Sequence, residues 1–177
     1  MPQQEGAAQD AAGGTTGSAP GSGGGKSGAL NEALALVDAE IVLVFDADHE
    51  PEPTALRRLV RHFRDPSVGA VMGRCVIRNG RDSQMASTVF VDFLSGYLVN
   101  EYGRQALFEL PAYGGANCAV RMSTLRGLGG WNPHTVTEDT DLTLRVLMAG
   151  QRVRYDLSAV DFEEAVVSAQ RFWKQRY

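Results

Sequence analysis

The sequence predicts an α/β domain, and three observations carry that prediction. A run of five apolar residues, Ile41-Val42-Leu43-Val44-Phe45, ends in Asp46-Ala47-Asp48. Helical and extended patterns then alternate to the end of the chain. A composition of 44% hydrophobic and 21% charged residues over 177 positions allows one domain with a sizeable core.

The apolar run is too short for a helix and has no polar alternation. That predicts a strand buried on both faces, as in parallel sheets lying under helices. Ligands of such sheets sit beyond the carboxyl ends of the strands, where Asp46 and Asp48 fall. In extended backbone, residues two apart point the same way, so both carboxylates are expected to reach one cation. Two hard oxygens, with waters and a diphosphate completing the shell, suit Mg²⁺ or Mn²⁺. The plainer alternative is an acid that merely ends a strand.

The totals exclude several classes. A net charge of −4 gives no general attraction to nucleic acid, and no basic run suggests a local one. Cys75 and Cys118 form no CxxC pattern, so reduced buried thiols are expected rather than a zinc site or disulfide framework. His49, His62 and His134 are scattered without metal-ligand spacing. No apolar run approaches the roughly 18–20 residues that span a bilayer, and the N-terminus lacks a signal-peptide pattern. The expectation is a soluble, cytoplasmic chain.

Residues 1–25 are Gly, Ala, Ser, Thr and Gln with no aliphatic run, and are expected to be a disordered tail. Residues 26–177 form the expected domain. Pro20-Gly-Ser-Gly-Gly-Gly-Lys26-Ser27 resembles a phosphate-binding loop, but Pro20 replaces its first glycine and no strand feeds into it. Ser27 to Asp38 reads as a helix with Leu30, Leu34 and Val37 at helical spacing. After the Asp-Ala-Asp run, His49 to Pro53 reads as a loop. A helix follows from about Thr54 to Arg64, with its arginines facing solvent. Asp65-Pro66 breaks it, Val68 to Met72 is a second strand, and together these make a right-handed βαβ unit. Cys75 to Arg78 extends the sheet before an Asn79-Gly80 turn. Ser83 to Glu109 is a long, mixed helical segment rich in aromatic residues.

Pro111 to Arg121 is a glycine-bearing loop entering a short strand, and Gly114-Gly115 permits either close ligand approach or a tight turn. Met122 to Leu128 is a short helix closed by Gly129-Gly130, with Trp131 next. Thr137-Glu138-Asp139-Thr140-Asp141 opens a helix through about Ala149, and Thr137 or Asp139 suits its N-cap. Arg152 to Tyr155 and Ala159 to Phe162 read as two short strands. A last helix runs to Tyr177.

An acid pair at a strand end and a separate acid at a helix start suggest a two-part site. The metal would neutralise a diphosphate leaving group, and the other acid would take a proton from an attacking hydroxyl. Lys26, Lys174 and Arg176 offer positive charge to phosphate oxygens. This is equipment for group transfer from a nucleotide diphosphate.

At these residues the chain resembles glycosyltransferase family 2, of the GT-A (Rossmann-like) nucleotide-diphospho-sugar transferase fold. Within it, the cellulose, chitin and hyaluronan synthase-like membrane enzymes are the most similar group. Lys26-Ser-Gly-Ala-Leu-Asn31 resembles the family's K-A-G-A-L-N segment, and Asp46-Ala-Asp48 its D-x-D motif. Gly115 to Arg121 with Gly129-Gly-Trp131 resembles the acceptor-side G-x-N-x-x-x-R and G-G-W pattern. Thr137-Glu-Asp139 resembles T-E-D, continued by Arg145, and Gln175-Arg-Tyr177 resembles the opening of Q-x-x-R-W. The resemblance implies transfer of a hexose, UDP-linked by expectation, to a saccharide or lipid-linked hydroxyl, with inversion and Mg²⁺ or Mn²⁺. It implies Asp139 as base and Asp46 and Asp48 on the metal. Lys26 and Gln175 would stand at the donor or site mouth, and Gly115, Asn117, Trp131 and Glu138 on the acceptor side. Inversion needs no protein nucleophile, in keeping with the lack of a Ser-His or Cys-His pairing in the sequence.

Against the family pattern, the first strands give way to the Gly/Ala/Ser tail, and the sequence ends before the Arg-Trp that should follow Tyr177. The expectation is a GT-A fold incomplete at its N-terminus, from a parent at the cytoplasmic face of a membrane. Such a chain is expected to bind sugar nucleotide weakly and turn over poorly. Two alternatives are a P-loop-like NTPase, which leaves Thr137 to Asp141 unexplained, and a non-catalytic remnant whose acids only cap helices.

Overall fold

Apolar residues on successive strands divide between two faces, and that division builds the domain. The computed structural model describes residues 25–112, 114–135 and 137–176, with side chains to Lys174. The expected tail up to Gly24, most of the phosphate-loop-like segment, the Gln175 side chain and Tyr177 lie outside the described residues.

Helix α1 (Gly25–Leu36) leads to strand β1 (Ile41–Val44). Val42 and Val44 face one core cluster while Ile41, Leu43 and Phe45 face another, as the two-residue period of a strand requires. The first cluster joins them to Cys118, Val120, Leu125, Trp131, Leu142, Val146 and Val153. The second gathers Leu59, Phe63, Val68, Val71, Ala119 and Ala159. Each such side chain contributes about 1.5–3 kcal/mol of transfer free energy when fully buried.

The sheet is mixed, in the order β1-β4-β3-β5-β2. Strand β2 is Glu50–Pro51, β3 is Val68–Ile77, β4 is Cys118–Arg121 and β5 is Arg152–Glu163. Only β3 and β5 pair in parallel; β4 is antiparallel to both β1 and β3, and β2 is antiparallel to β5. This corrects the expectation of a parallel sheet around β1. Among the described residues β1 pairs with β4 alone, and β4 stands between β1 and β3. The two strands of the expected βαβ unit therefore run the same way but are not neighbours. An apolar run reports that both faces are covered; it does not report which strand lies alongside. His49 to Pro53, expected as a loop, contains β2, a two-residue edge strand where proline costs no ladder bond.

Helix α2 (Ala55–Val60) continues as a 3₁₀ turn over Arg61–Arg64 and covers one face. Its arginines are not simply a solvated face. Arg58 donates to Ser158 O at 2.8 Å, and Arg61 pairs with Asp156 at 2.8 Å. The long segment is a helix throughout: α3 (Gln84–Leu94), a π-helical stretch over Ser95–Glu101, and α4 (Tyr102–Phe108). Ser83 caps it by accepting from Ala86 N at 3.0 Å. Helices α5 (Met122–Gly127) and α6 (Glu138–Met148) pack on the first core cluster, and α7 (Ala169–Arg176) closes the described chain. No helix among the described residues is long and apolar enough to cross a membrane.

The two short strands expected at 152–155 and 159–162 are halves of β5. Tyr155 pairs with Met72 and Val160 with Arg74, so residues 156–159 bulge opposite Gly73. Asp156 shapes the bulge by accepting from Ser158 N at 3.0 Å and Ser158 Oγ at 2.6 Å. Gly73 lies so close that a methyl group there would stand 2.4 Å from Ala159 O.

Burial alone would raise the pKa of Asp156. Hydrogen bonds from His62 and Ser158, with the Arg61 charge, outweigh it and hold the carboxyl well below its ordinary 3.8. The unfolded chain thus binds this proton more readily, so Asp156 stabilises the fold fully above 3.8 and loses that contribution as pH falls through the lower, folded value. Asp156→Asn is expected to flatten the acid limb of stability against pH. Urea midpoints of both proteins measured downward from pH 5 check this; an unchanged slope sinks it.

Candidate active site

The residues singled out near Lys26, Asp46, Gly115 and Asp139 come from four separate parts of the chain, and the fold brings them together. Lys26, in the first turn of α1, donates to Asp46 Oδ1 at 2.6 Å and to Gly115 O at 2.8 Å. A methyl group placed on Gly115 would lie 3.6 Å from Asp139 Oδ2, 3.6 Å from Lys26 Nζ and 4.0 Å from Glu138 Oε1. The end of β1, the glycine loop before β4 and the start of α6 therefore line one half-exposed place. The ion pair is about 40% exposed at both partners, so solvent weakens it and ligands can compete for it.

The expected reason for pairing Asp46 with Asp48 needs correcting. β1 ends at Val44, and the chain turns over Ala47 and Asp48, with His49 N donating to Asp46 O at 3.1 Å. Strand alternation does not align the two carboxylates; a turn presents them, and Asp48 is exposed.

Thr137 occupies the N-cap position of α6 but makes no side-chain cap bond. Glu138, Asp139 and Asp141 lie in the first turn, where the helix dipole favours anions. Asp139 Oδ1 accepts from Thr140 N at 2.6 Å, which fixes the carboxylate and leaves Oδ2 toward Gly115. Asp141 instead pairs with Arg145 at 2.7 Å, one helical turn along.

Asn117 and Trp131, expected on the acceptor side, are core residues. Asn117 is wholly buried at a φ of +48° and donates to Ala159 O at 2.9 Å and Arg74 O at 3.2 Å. It ties the glycine loop to β3 and the β5 bulge. Trp131 is 3% exposed and packs with Leu125, Leu142 and Val146.

The quoted motifs contain the side chains that hold the loops, but the sequence did not show what they hold. Asn31 of α1 donates to Trp131 O at 2.7 Å and accepts from Trp131 N at 2.9 Å. Gly130, at φ +83°, gives the close approach this needs. Arg145 donates to Leu128 O at 3.0 Å and Gly130 O at 2.9 Å. Arg121 donates to Val68 O, Phe63 O and Asp65 O and stacks over the Phe63 ring.

The histidines also need correcting. Ligand atoms of His49, Cys75 and Asp161 lie within 4.8 Å of one another, although the sequence shows no metal-ligand spacing. Burial alone would lower the pKa of His49, but hydrogen bonds to Asp161, Cys75 and Glu163 push it up to about 12. Cys75 and Cys118 are both buried, and burial pushes the Cys75 thiol up to about 11.

The family model described as "Glycosyl transferase family group 2" matches residues 41–177. The chain belongs to this family. It is 32% identical over 152 residues to the probable glycosyltransferase YdaM of Bacillus subtilis (strain 168), covering 85% of this chain and 36% of that protein. It is 35% identical over 159 residues to the beta-monoglucosyldiacylglycerol synthase of Synechocystis sp., covering 85% of this chain and 31% of that one. Among solved structures it is similar to the mannosyltransferase PcManGT from Pyrobaculum calidifontis in complex with GDP-Man and Mn2+. There the TM-score is 0.60 with 28% identity, over 86% of this chain and 40% of the other. This glycosyltransferase family member thus spans about a third of the length of those two curated relatives, and its mixed sheet with helices on both faces is the GT-A fold.

Proposed function

We propose that this chain carries the reacting centre of a metal-dependent, inverting glycosyltransferase. It would move a hexose from a nucleotide-diphosphate sugar to a hydroxyl acceptor in glycolipid or polysaccharide synthesis. The observation that carries the reading is the convergence of Lys26, Glu138 and Asp139 on Gly115, with Asp46 paired to Lys26.

The residues present fit a hard divalent ion. A cation, the Lys26 ammonium, already sits between a carboxylate oxygen and a carbonyl oxygen, and Asp48 is an exposed acid in the turn that follows Asp46. Asp46 and Asp48 would hold Mg²⁺ or Mn²⁺, which when bound neutralises charge on the departing diphosphate. Lys26 lies within reach of the same phosphate oxygens once it leaves Asp46. Asp139 receives the acceptor's proton at Oδ2, since Oδ1 is occupied by Thr140. The hydroxyl oxygen then attacks the anomeric carbon on the face opposite the diphosphate, in a single displacement that inverts the centre. Glu138 borders the acceptor at the Gly115 side. Asn117 and Trp131 act by holding the loops, and Gln175 binds at the site mouth. Residues 26–177 form the catalytic unit. The donor nucleotide expected from the motifs is UDP; the PcManGT complex contains GDP-Man. The acceptor is a saccharide or lipid, and the parent works at the cytoplasmic face of a membrane, as the family resemblance implies.

Calorimetry with UDP and with GDP, each with and without Mn²⁺, tests this on the chain and on an Asp46→Ala, Asp48→Ala double variant. The expected result is Mn²⁺-dependent binding of one nucleotide, lost in the variant. Metal-independent binding of equal strength in both proteins would place the nucleotide elsewhere.

A further inference from the structure

Beneath the Asp46–His49 turn lies a cluster of side chains that the transfer reaction does not use. It draws His49 from the turn, Cys75 from β3 and Asp161 from β5, and their ligand atoms lie within 4.8 Å of one another. Cys75 and Asp161 are buried, Asp161 completely. Asp161 Oδ2 meets His49 Nδ1, while its Oδ1 is buried and accepts no hydrogen bond among the described residues. A carboxylate oxygen in that condition is costly unless a cation or donor reaches it. Across the ring, His49 Nε2 lies 2.6 Å from Glu163 Oε2. A carboxylate behind one ring nitrogen fixes the tautomer and turns the other nitrogen inward as a ligand.

We propose that His49, Cys75 and Asp161 form a three-ligand zinc site, with Glu163 as the carboxylate supporting the histidine. The donor set is one nitrogen, one sulfur and one carboxylate, all common zinc ligands, whereas Mg²⁺ and Mn²⁺ prefer oxygen alone. With bonds of about 2.0–2.3 Å, tetrahedral donors stand about 3–4 Å apart. Cys75 Sγ and His49 Nδ1, at 3.9 Å, are already at that separation. The closer His49–Asp161 contact widens as the ion replaces the proton between them. Binding releases two protons, one from the Cys75 thiol and one from His49 Nδ1. Three ligands leave a fourth position for water. The site staples the turn bearing Asp46 and Asp48 to β3 and β5.

Cobalt serves as the probe, because a thiolate ligand gives Co²⁺ an intense near-ultraviolet charge-transfer band and tetrahedral ligation gives strong visible bands. Titrating the metal-free full chain with Co²⁺ is expected to produce both at one ion per chain, with Zn²⁺ displacing them. The bands are expected to persist in Cys118→Ala and in the Asp46→Ala, Asp48→Ala variant, and to vanish in Cys75→Ser. Glu163→Gln is expected to weaken binding by about 10–100-fold. A wild-type chain giving no thiolate band overturns the proposal, and that result needs no variant to fold. So does a band that survives Cys75→Ser or disappears with the Asp46 and Asp48 carboxylates.

Discussion

Asp139→Asn is expected to lower sugar transfer by about 10²–10⁴-fold, the range that positioned general bases contribute. The structure makes this substitution a clean one. Asparagine keeps the Oδ1 that accepts from Thr140 N, so the first turn of α6 stays as it is. What changes is the atom facing Gly115, from a carboxylate oxygen to an amide that accepts no proton. Donor binding and Tm are expected to remain near wild type, with the loss confined to kcat. Assaying transfer, beside nucleotide binding, separates the outcomes. Full transfer by the Asn variant would sink the assignment of Asp139 as base and favour the reading of these acids as helix-start anions alone.

Trp131→Ala is expected to cost about 3–5 kcal/mol of stability, as large aromatic truncations in cores do. Trp131 is 3% exposed and fills the space between α5 and α6, against Leu125, Leu142 and Val146. Its main chain is clamped by Asn31 on both sides of the residue, so the backbone is held in place and a cavity opens instead of collapsing. Trp131→Phe, which refills most of the volume, should cost clearly less. Denaturant midpoints measure both. A Trp131→Ala chain as stable as wild type, with transfer lost, would return this side chain to the acceptor.

How far the sequence could be read depended on whether a feature was local. Asp46, Asp48 and Asp139 were singled out by their immediate neighbours, and Lys26 links Asp46 to the Gly115 loop that Asp139 borders. The helix starting at Glu138 and the long helical segment from Gln84 were legible because capping and periodicity are short-range signals. Strand order was not, since Val42 and Leu43 look the same whether β3 or β4 lies beside them. Nor was the pairing of His49 with Asp161, which are 112 positions apart. The bulge at Asp156 made one strand read as two, because Asp and Ser interrupt a β pattern whether or not the sheet continues. Trp131 was open for a different reason: a tryptophan after two glycines suits a sugar platform and a core equally well, and only the fold shows that it is buried.

Lys26, Asn31, Asn117, Arg121 and Arg145 share a habit. Each donates at least one hydrogen bond to a main-chain oxygen of a distant segment: Gly115, Trp131, Ala159, Phe63 and Gly130 among them. Every residue type has those main-chain groups, so the segments being held can change their side chains without losing their path. The holders have no such latitude, because no smaller or differently shaped group reaches the same oxygens. The domain thereby separates the route of its loops from what the loops display. A substitution within a held loop is thereby expected to alter what the loop displays while leaving its path in place.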